Sequence, residues 1–86
     1  MVFNLTENWQ EFDIPAGTQS VVQNKSADKY VALRVSATAP SNDVIRTRDY
    51  FALKPGDDTF LGNQSAPIKV FARSVSGDPV TIFVDI

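Results

Sequence analysis

The chain has 86 residues, with eight basic and ten acidic side chains, a net charge of −2, and neither cysteine nor histidine. This length fits a single domain, residues 1–86, with a thin core that self-association would help to stabilise. Without thiols or imidazoles, disulfides, the common zinc sites and the familiar hydrolytic triads cannot form, so we expect no enzyme, no metal and no cofactor. The balanced charge does not favour a nucleic-acid partner.

Turn-forming residues recur at roughly ten- to fifteen-residue intervals, a spacing typical of short antiparallel strands. We predict strands at residues 9–14, 18–24, 29–37, 45–53 and 59–61, then a penultimate strand from residue 68 and a last strand from residue 80. The clearest alternation places Val31, Leu33 and Val35 on one face. We therefore expect an all-β fold, a small antiparallel β-sandwich or flattened barrel of six to eight short strands.

The last two strands are predicted to form a hairpin with Gly77 at the centre of its turn. In that register Phe71 faces Phe83 and Lys69 faces Asp85 on the outer surface. The inward residues would be Ile68, Val70 and Ala72 on one strand, and Val80, Ile82, Val84 and Ile86 on the other.

The outward pair of Phe71 and Phe83, flanked by Lys69 and Arg73, is our first candidate partner interface, because exposed aromatic clusters often mark contact surfaces. The alternative is that a loop or the N-terminal strand covers the two rings. Both alternatives are structural, since an aromatic pair without nearby acids, bases or metal ligands performs no chemistry.

A second candidate interface lies on the predicted strand 45–53, where Arg46, Arg48 and Tyr50 share a face. Arginines interleaved with an aromatic ring can follow a phosphate backbone. In an acidic domain, however, such arginines more often pair with neighbouring carboxylates, here Asp43 or Asp49. We therefore treat these three residues as candidates for a protein contact.

Two further features have a structural and a functional interpretation. Trp9, the sole tryptophan, could form a sugar-binding platform with Tyr30 or Tyr50, or could anchor the core. Aspartates recur in the predicted turns, where they ordinarily bond their own backbone, and no calcium-loop spacing is present. No segment approaches the roughly 20 apolar residues that span a bilayer, so we expect no membrane partner.

Three stretches, residues 22–41, 51–57 and 68–77, together form one pattern of turns and strands. The first begins with an Asn-x-Ser turn at Asn24 and ends in a Ser-Ala-x-Ala-Pro segment at residues 36–40. The second is a Leu-x-Pro-Gly-acid turn at residues 53–57. The third runs from an aromatic-Ala-Arg core at residues 71–73 into a Ser-Gly turn at residues 76–77.

This pattern resembles small virion-associated proteins of tailed bacteriophages, of the head-decoration or head-fibre type. The resemblance implies a non-enzymatic β-sandwich made in the host bacterial cytoplasm and incorporated into the virion. Its expected partners are other virion proteins, foremost the major capsid protein, and its own copies in a homo-oligomer, a trimer or a dimer. Two alternatives stay open: a carbohydrate-binding module using Trp9 with a tyrosine, and a small host-directed regulatory protein.

Overall fold

The computed structural model describes residues 1–85, which form eight strands and one short helix. In chain order these are β1 (Val2–Leu5), β2 (Gln10–Ile14), β3 (Gln19–Asn24), β4 (Val31–Val35), α1 (Asp43–Thr47), β5 (Phe51–Leu53), β6 (Asp58–Gly62), β7 (Ile68–Ser74) and β8 (Val80–Asp85). The all-β prediction is confirmed, and β1 and α1 are additions to it. The expected inward position of Ile86 lies outside the described residues.

The strands form two four-stranded antiparallel sheets that pack face to face. The front sheet has the order β1-β8-β3-β6, and the back sheet has the order β2-β7-β4-β5. Most connections cross from one sheet to the other, as in an eight-stranded double-sheet jelly roll. The predicted β-sandwich is therefore correct, and its strand order, which the sequence did not predict, is now defined.

The core lies between the two sheets and contains aliphatic side chains at alternating positions of both. Phe3 of β1 stacks on Phe12 of β2 at a centroid distance of 5.6 Å, which joins the sheets near the N-terminus. The fully or almost fully buried members are Leu5, Phe12, Ile14, Val22, Val31, Leu33, Leu53, Val70, Ala72, Val80, Ile82 and Val84. The inward positions predicted for β7 and β8 are thus confirmed up to Val84.

The predicted C-terminal hairpin is wrong, because β7 and β8 belong to opposite sheets. Phe71 is opposite Glu11 and Arg34 in the back sheet, whereas Phe83 is opposite Val2 and Gln23 in the front sheet. Two strands that face each other across a core both point their aliphatic residues inward, as hairpin strands do. The alternation therefore predicted the inward residues correctly and the strand pairing incorrectly.

The predicted strand 45–53 is also wrong over most of its length. Residues 43–47 form one turn of helix, and only Phe51–Leu53 is a strand. Arg48 ends the helix in the left-handed conformation, at φ 60°, and its N–H bonds to the carbonyl of Ile45. The alternating polar pattern of residues 45–50 is therefore that of a helical turn and its cap, so Arg46, Arg48 and Tyr50 do not share a strand face.

Asn24, at the end of β3, links the two sheets through its buried side chain. The amide nitrogen donates to the carbonyls of Lys29, at 2.8 Å, and Leu53, at 3.1 Å, and the amide oxygen accepts from the N–H of Ser26, at 2.9 Å. Only 2% of the residue is exposed. Because Leu53 belongs to the back sheet and Asn24 to the front sheet, this one amide holds both sheets and the β3–β4 turn.

Gly62, the last residue of β6, lies where the front sheet meets the β2–β3 turn. Its φ is +100°, and a side chain here would overlap the carbonyl oxygen of Thr18 and lie 2.8 Å from Cγ2 of Ile14. The N–H of Asn63 donates to that same carbonyl. The backbone contact between this sheet edge and the turn therefore requires glycine.

We predict that Asn24→Ala lowers the free energy of unfolding by about 3 kcal/mol, because it leaves buried carbonyl groups without donors. The matched control is Asn8→Ala, at an exposed position whose side chain makes no hydrogen bond within residues 1–85; it should change stability by less than about 0.5 kcal/mol. Urea denaturation followed by circular dichroism measures both. Equal effects of the two substitutions would contradict the role assigned to Asn24.

Candidate functional site

The residues of the predicted aromatic interface lie on opposite sides of the molecule. Phe71 is on the outer face of the back sheet, where its ring is 4% exposed, and Phe83 is half-buried on the outer face of the front sheet. The predicted outward pair therefore does not exist. Lys69 is opposite Asp13 and does not pair with Asp85; its ammonium lies 3.2 Å from the carboxylate of Glu11.

The connection between β4 and β5, residues 36–50, is tied to the outer face of the back sheet. Arg34 of β4 contacts both the carboxylate and the backbone carbonyl of Asp49, each at 2.6 Å. Arg73 of β7 donates to the side-chain carbonyl of Asn42 at 2.9 Å. Phe71 is directly opposite Arg34 and two residues before Arg73 on β7, and it is buried. The ring of Phe71 is thus covered, and the connection is attached to the sheet at both of these arginines.

Arg73, a predicted interface residue, is only 7% exposed. Its Nε donates to the carbonyl of Ser74 at 2.8 Å, and its Nη1 donates to Asn42. Both partners are neutral, and no carboxylate within residues 1–85 lies within 4.0 Å of this guanidinium. Arg73 is therefore a buried cation without a paired carboxylate among residues 1–85, and it is not available for direct contact with a protein partner.

The other predicted interface residues line a groove of about 640 Å³ over the back sheet, which we call the Arg–Tyr groove. It is formed by Tyr30, Ile45, Arg46, Arg48, Tyr50, Ala52 and Val75. The helical turn and its cap bring Arg46, Arg48 and Tyr50 together, although they do not lie on a strand. Tyr30 immediately precedes β4 and adds a second phenol ring, which is 47% exposed.

A different surface, which we call the apolar stripe, crosses the outer face of the front sheet. It consists of Val2, Phe83, Val21 and Phe60, one residue from each strand. Val2 is opposite Phe83, and Val21 is opposite Phe60, while Phe83 and Val21 are diagonal neighbours on adjacent strands. Val2 and Phe60 are 63% and 62% exposed. The four side chains thus form a row across the sheet, in which Phe83 is also directly opposite Gln23 and Val21 is directly opposite Asp85.

Of the four residues in the apolar stripe, the sequence predicted only Phe83 as part of an interface. Val21 occupies an outward position of a predicted strand, next to inward Val22, so its exposure could have been expected from the alternation. Phe60 belongs to a strand predicted as too short to show alternation, and the strand containing Val2 was not predicted. The four residues are close together because of the strand order, and local periodicity in the sequence does not predict strand order.

Trp9 is not among the residues that line the Arg–Tyr groove, where both tyrosines lie. It is half-buried just before β2, and its indole nitrogen is buried without a hydrogen-bond partner within residues 1–85. The same part of the chain holds no group of three acidic side chains placed to bind a metal ion. The helix α1, the one helix within residues 1–85, is too short to cross a membrane.

Comparison with known proteins identifies the fold and gives no function. No family model matches the sequence, and no curated protein matches it. The structure is similar to a solution NMR structure of a de novo designed double-stranded beta-helix, with a TM-score of 0.64 over 98% of this chain and 90% of that one. At 19% sequence identity the likeness establishes the fold alone.

We predict that Phe71→Ala and Phe83→Ala differ sharply in their effect on stability. Truncating the buried ring of Phe71 should cost about 3 kcal/mol or more, whereas truncating the half-buried ring of Phe83 should cost about 1 kcal/mol. Urea denaturation at a concentration where the chain is monomeric gives both values. A larger loss for Phe83 than for Phe71 would contradict the placement of the two rings.

Proposed function

We propose that this chain is a non-enzymatic structural protein of a tailed-bacteriophage particle, with a decoration, cement or fibre-base role. It binds the major capsid protein or neighbouring subunits through a sheet face. The resemblance of residues 22–41, 51–57 and 68–77 to small virion proteins supports the phage assignment. The observation that carries the binding role is the apolar stripe, since contiguous exposed apolar surface marks interaction sites in soluble proteins.

The two outer faces differ in a way that supports this role for the front sheet. The chain's own β4–β5 connection is tied to the outer face of the back sheet, through Arg34 and Arg73. The apolar stripe instead retains two residues more than 60% exposed. The adjoining outward positions of the front sheet are neutral except for two carboxylates, Asp85, directly opposite Val21, and Asp58, two residues from Phe60 on β6. A neutral, apolar partner surface therefore fits best.

A second copy of the chain meets this requirement, and we propose that the isolated protein dimerises through the apolar stripe. The molecule is a slab of 33 × 25 × 16 Å, so most of its broad face around the stripe would take part if each partner buries the about 800 Å² of a standard interface. Contact of the stripe with itself is isologous and closes as a two-fold dimer. The sequence predicted a trimer or a dimer, and we now expect the dimer.

We expect Phe60→Ser to convert the dimer to a monomer, because it replaces the most exposed aromatic ring of the stripe, on edge strand β6, with a small polar side chain. Phe51→Ser is the matched control: Phe51 is 54% exposed, as compared with 62% for Phe60, and lies on the other sheet. Analytical ultracentrifugation at high micromolar concentration measures the change. A wild-type monomer, or a dimer that survives Phe60→Ser and dissociates with Phe51→Ser, would contradict the proposed interface.

The phage assignment has its own test. If the chain is a particle component, mass spectrometry of purified virions from the phage that encodes it should detect it at a fixed copy number relative to the major capsid protein. Immunogold labelling should place it on the head or at a fibre base. Absence of the chain from particles would refute the assignment and leave the dimer interface untouched.

A further inference from the structure

The Arg–Tyr groove lies on the opposite side of the molecule from the apolar stripe and carries excess positive charge. The residues that line the groove include two arginines, Arg46 and Arg48, and no carboxylate. The whole chain, in contrast, has a net charge of −2. A local surplus of cations on an acidic protein favours an anion at this place.

The arginines of the groove are poorly matched by carboxylates of the chain. Arg46 lies 3.7 Å from Asp43, in a pair whose side chains are 77% and 79% exposed, and such exposed pairs contribute little. No carboxylate within residues 1–85 lies within 4.0 Å of the Arg48 guanidinium. Two guanidinium groups with free donors therefore line the groove, and a planar guanidinium can bind a carboxylate through two parallel hydrogen bonds.

The buried guanidinium of Arg73 adds to this positive field. Arg73 is two residues, or about 7 Å along an extended chain, from Val75, which lines the groove. A buried cation with neutral partners is costly. An anion in the groove would offset part of that cost, which gives an anionic ligand an advantage over a neutral ligand of the same shape.

The remaining walls of the groove are aromatic and aliphatic. Tyr30 and Tyr50 provide two rings with hydroxyl groups, and Ile45, Ala52 and Val75 provide apolar surface. Rings of this kind pack against the apolar face of a sugar while their hydroxyls form hydrogen bonds. The volume of about 640 Å³ lies within the range of small-molecule sites. A nucleic-acid strand would instead need a longer basic track, because its affinity grows with the number of phosphates neutralised.

We propose that the Arg–Tyr groove binds an acidic sugar, with the sugar carboxylate on Arg46 and Arg48 and the sugar ring against Tyr30 and Tyr50. The site uses no residue of the apolar stripe, so it is independent of the proposed particle role. It also differs from the expected Trp9 platform, both in its residues and in its requirement for a negative charge.

The test is a titration of the ¹⁵N-labelled protein with sodium glucuronate, followed by amide chemical shifts. We expect saturable shifts centred on residues 45–52 and at least about tenfold weaker binding of glucose, since the carboxylate–arginine contact is then missing. Sodium acetate, which has the charge without the ring, should also bind more weakly. Raising the sodium chloride concentration should weaken glucuronate binding.

Arg46→Gln and Arg48→Gln should each reduce glucuronate affinity by about fivefold or more. Lys25→Gln is the control, because it removes one positive charge at an exposed position outside the groove; it should leave the affinity unchanged. The amide spectrum of each variant reports directly whether it is folded.

Four outcomes would overturn the proposal. They are an absence of saturable shifts in residues 45–52, equal affinity for glucose and glucuronate, unchanged affinity in both arginine variants, and tighter binding of a twelve-nucleotide single-stranded DNA to the same residues. The last would assign the groove to nucleic acid. None of these outcomes bears on whether the chain is found in virions.

Discussion

The arrangement of the two sheets depends on the side-chain amide of Asn24. It fills a position where the end of β3 in the front sheet, the following turn and the end of β5 in the back sheet meet. The backbone of Asn24 is also fully engaged, because its N–H bonds to Asp57 and its carbonyl accepts from Gly56. Aliphatic contacts are not directional, whereas hydrogen bonds from a buried amide to partners in both sheets favour one alignment of the sheets over others.

Asn24 and Gly62 both join elements of the two sheets, and the resulting strand order determines which residues are exposed on each outer face. β4 and β5 are neighbours at one edge of the back sheet, and residues 36–50, which join them, extend over its outer face, where Asp49 contacts Arg34 and Asn42 contacts Arg73. That connection bonds to Arg73 through Asn42 and contributes Ile45, Arg46, Arg48 and Tyr50 to the Arg–Tyr groove. Within residues 1–85, no comparable connection is tied across the apolar stripe. The difference between the faces is thus a result of topology and not of composition alone.

The strand alternation was sufficient to predict the all-β fold and most of the core. Val31, Leu33 and Val84 are buried as expected, whereas Val35, which continues the same pattern, is 54% exposed at the end of its strand. Strand partners could not be predicted, because the inward residues of a hairpin and of two facing sheets follow the same period. The candidate site was predicted in part. Arg46, Arg48 and Tyr50 do line one groove, but a helical turn brings them together and not the strand that the alternation predicted.

The positions of the two surfaces have a geometric consequence for any pair of copies joined through the apolar stripe. Each copy is 16 Å thick, with the stripe on one broad side and the Arg–Tyr groove on the other. The two grooves of such a pair would open in opposite directions, so both could not engage neighbouring ligands on one flat surface. Avidity on a single surface is then excluded by geometry. The pair would act as a bridge between two surfaces, with one groove facing each.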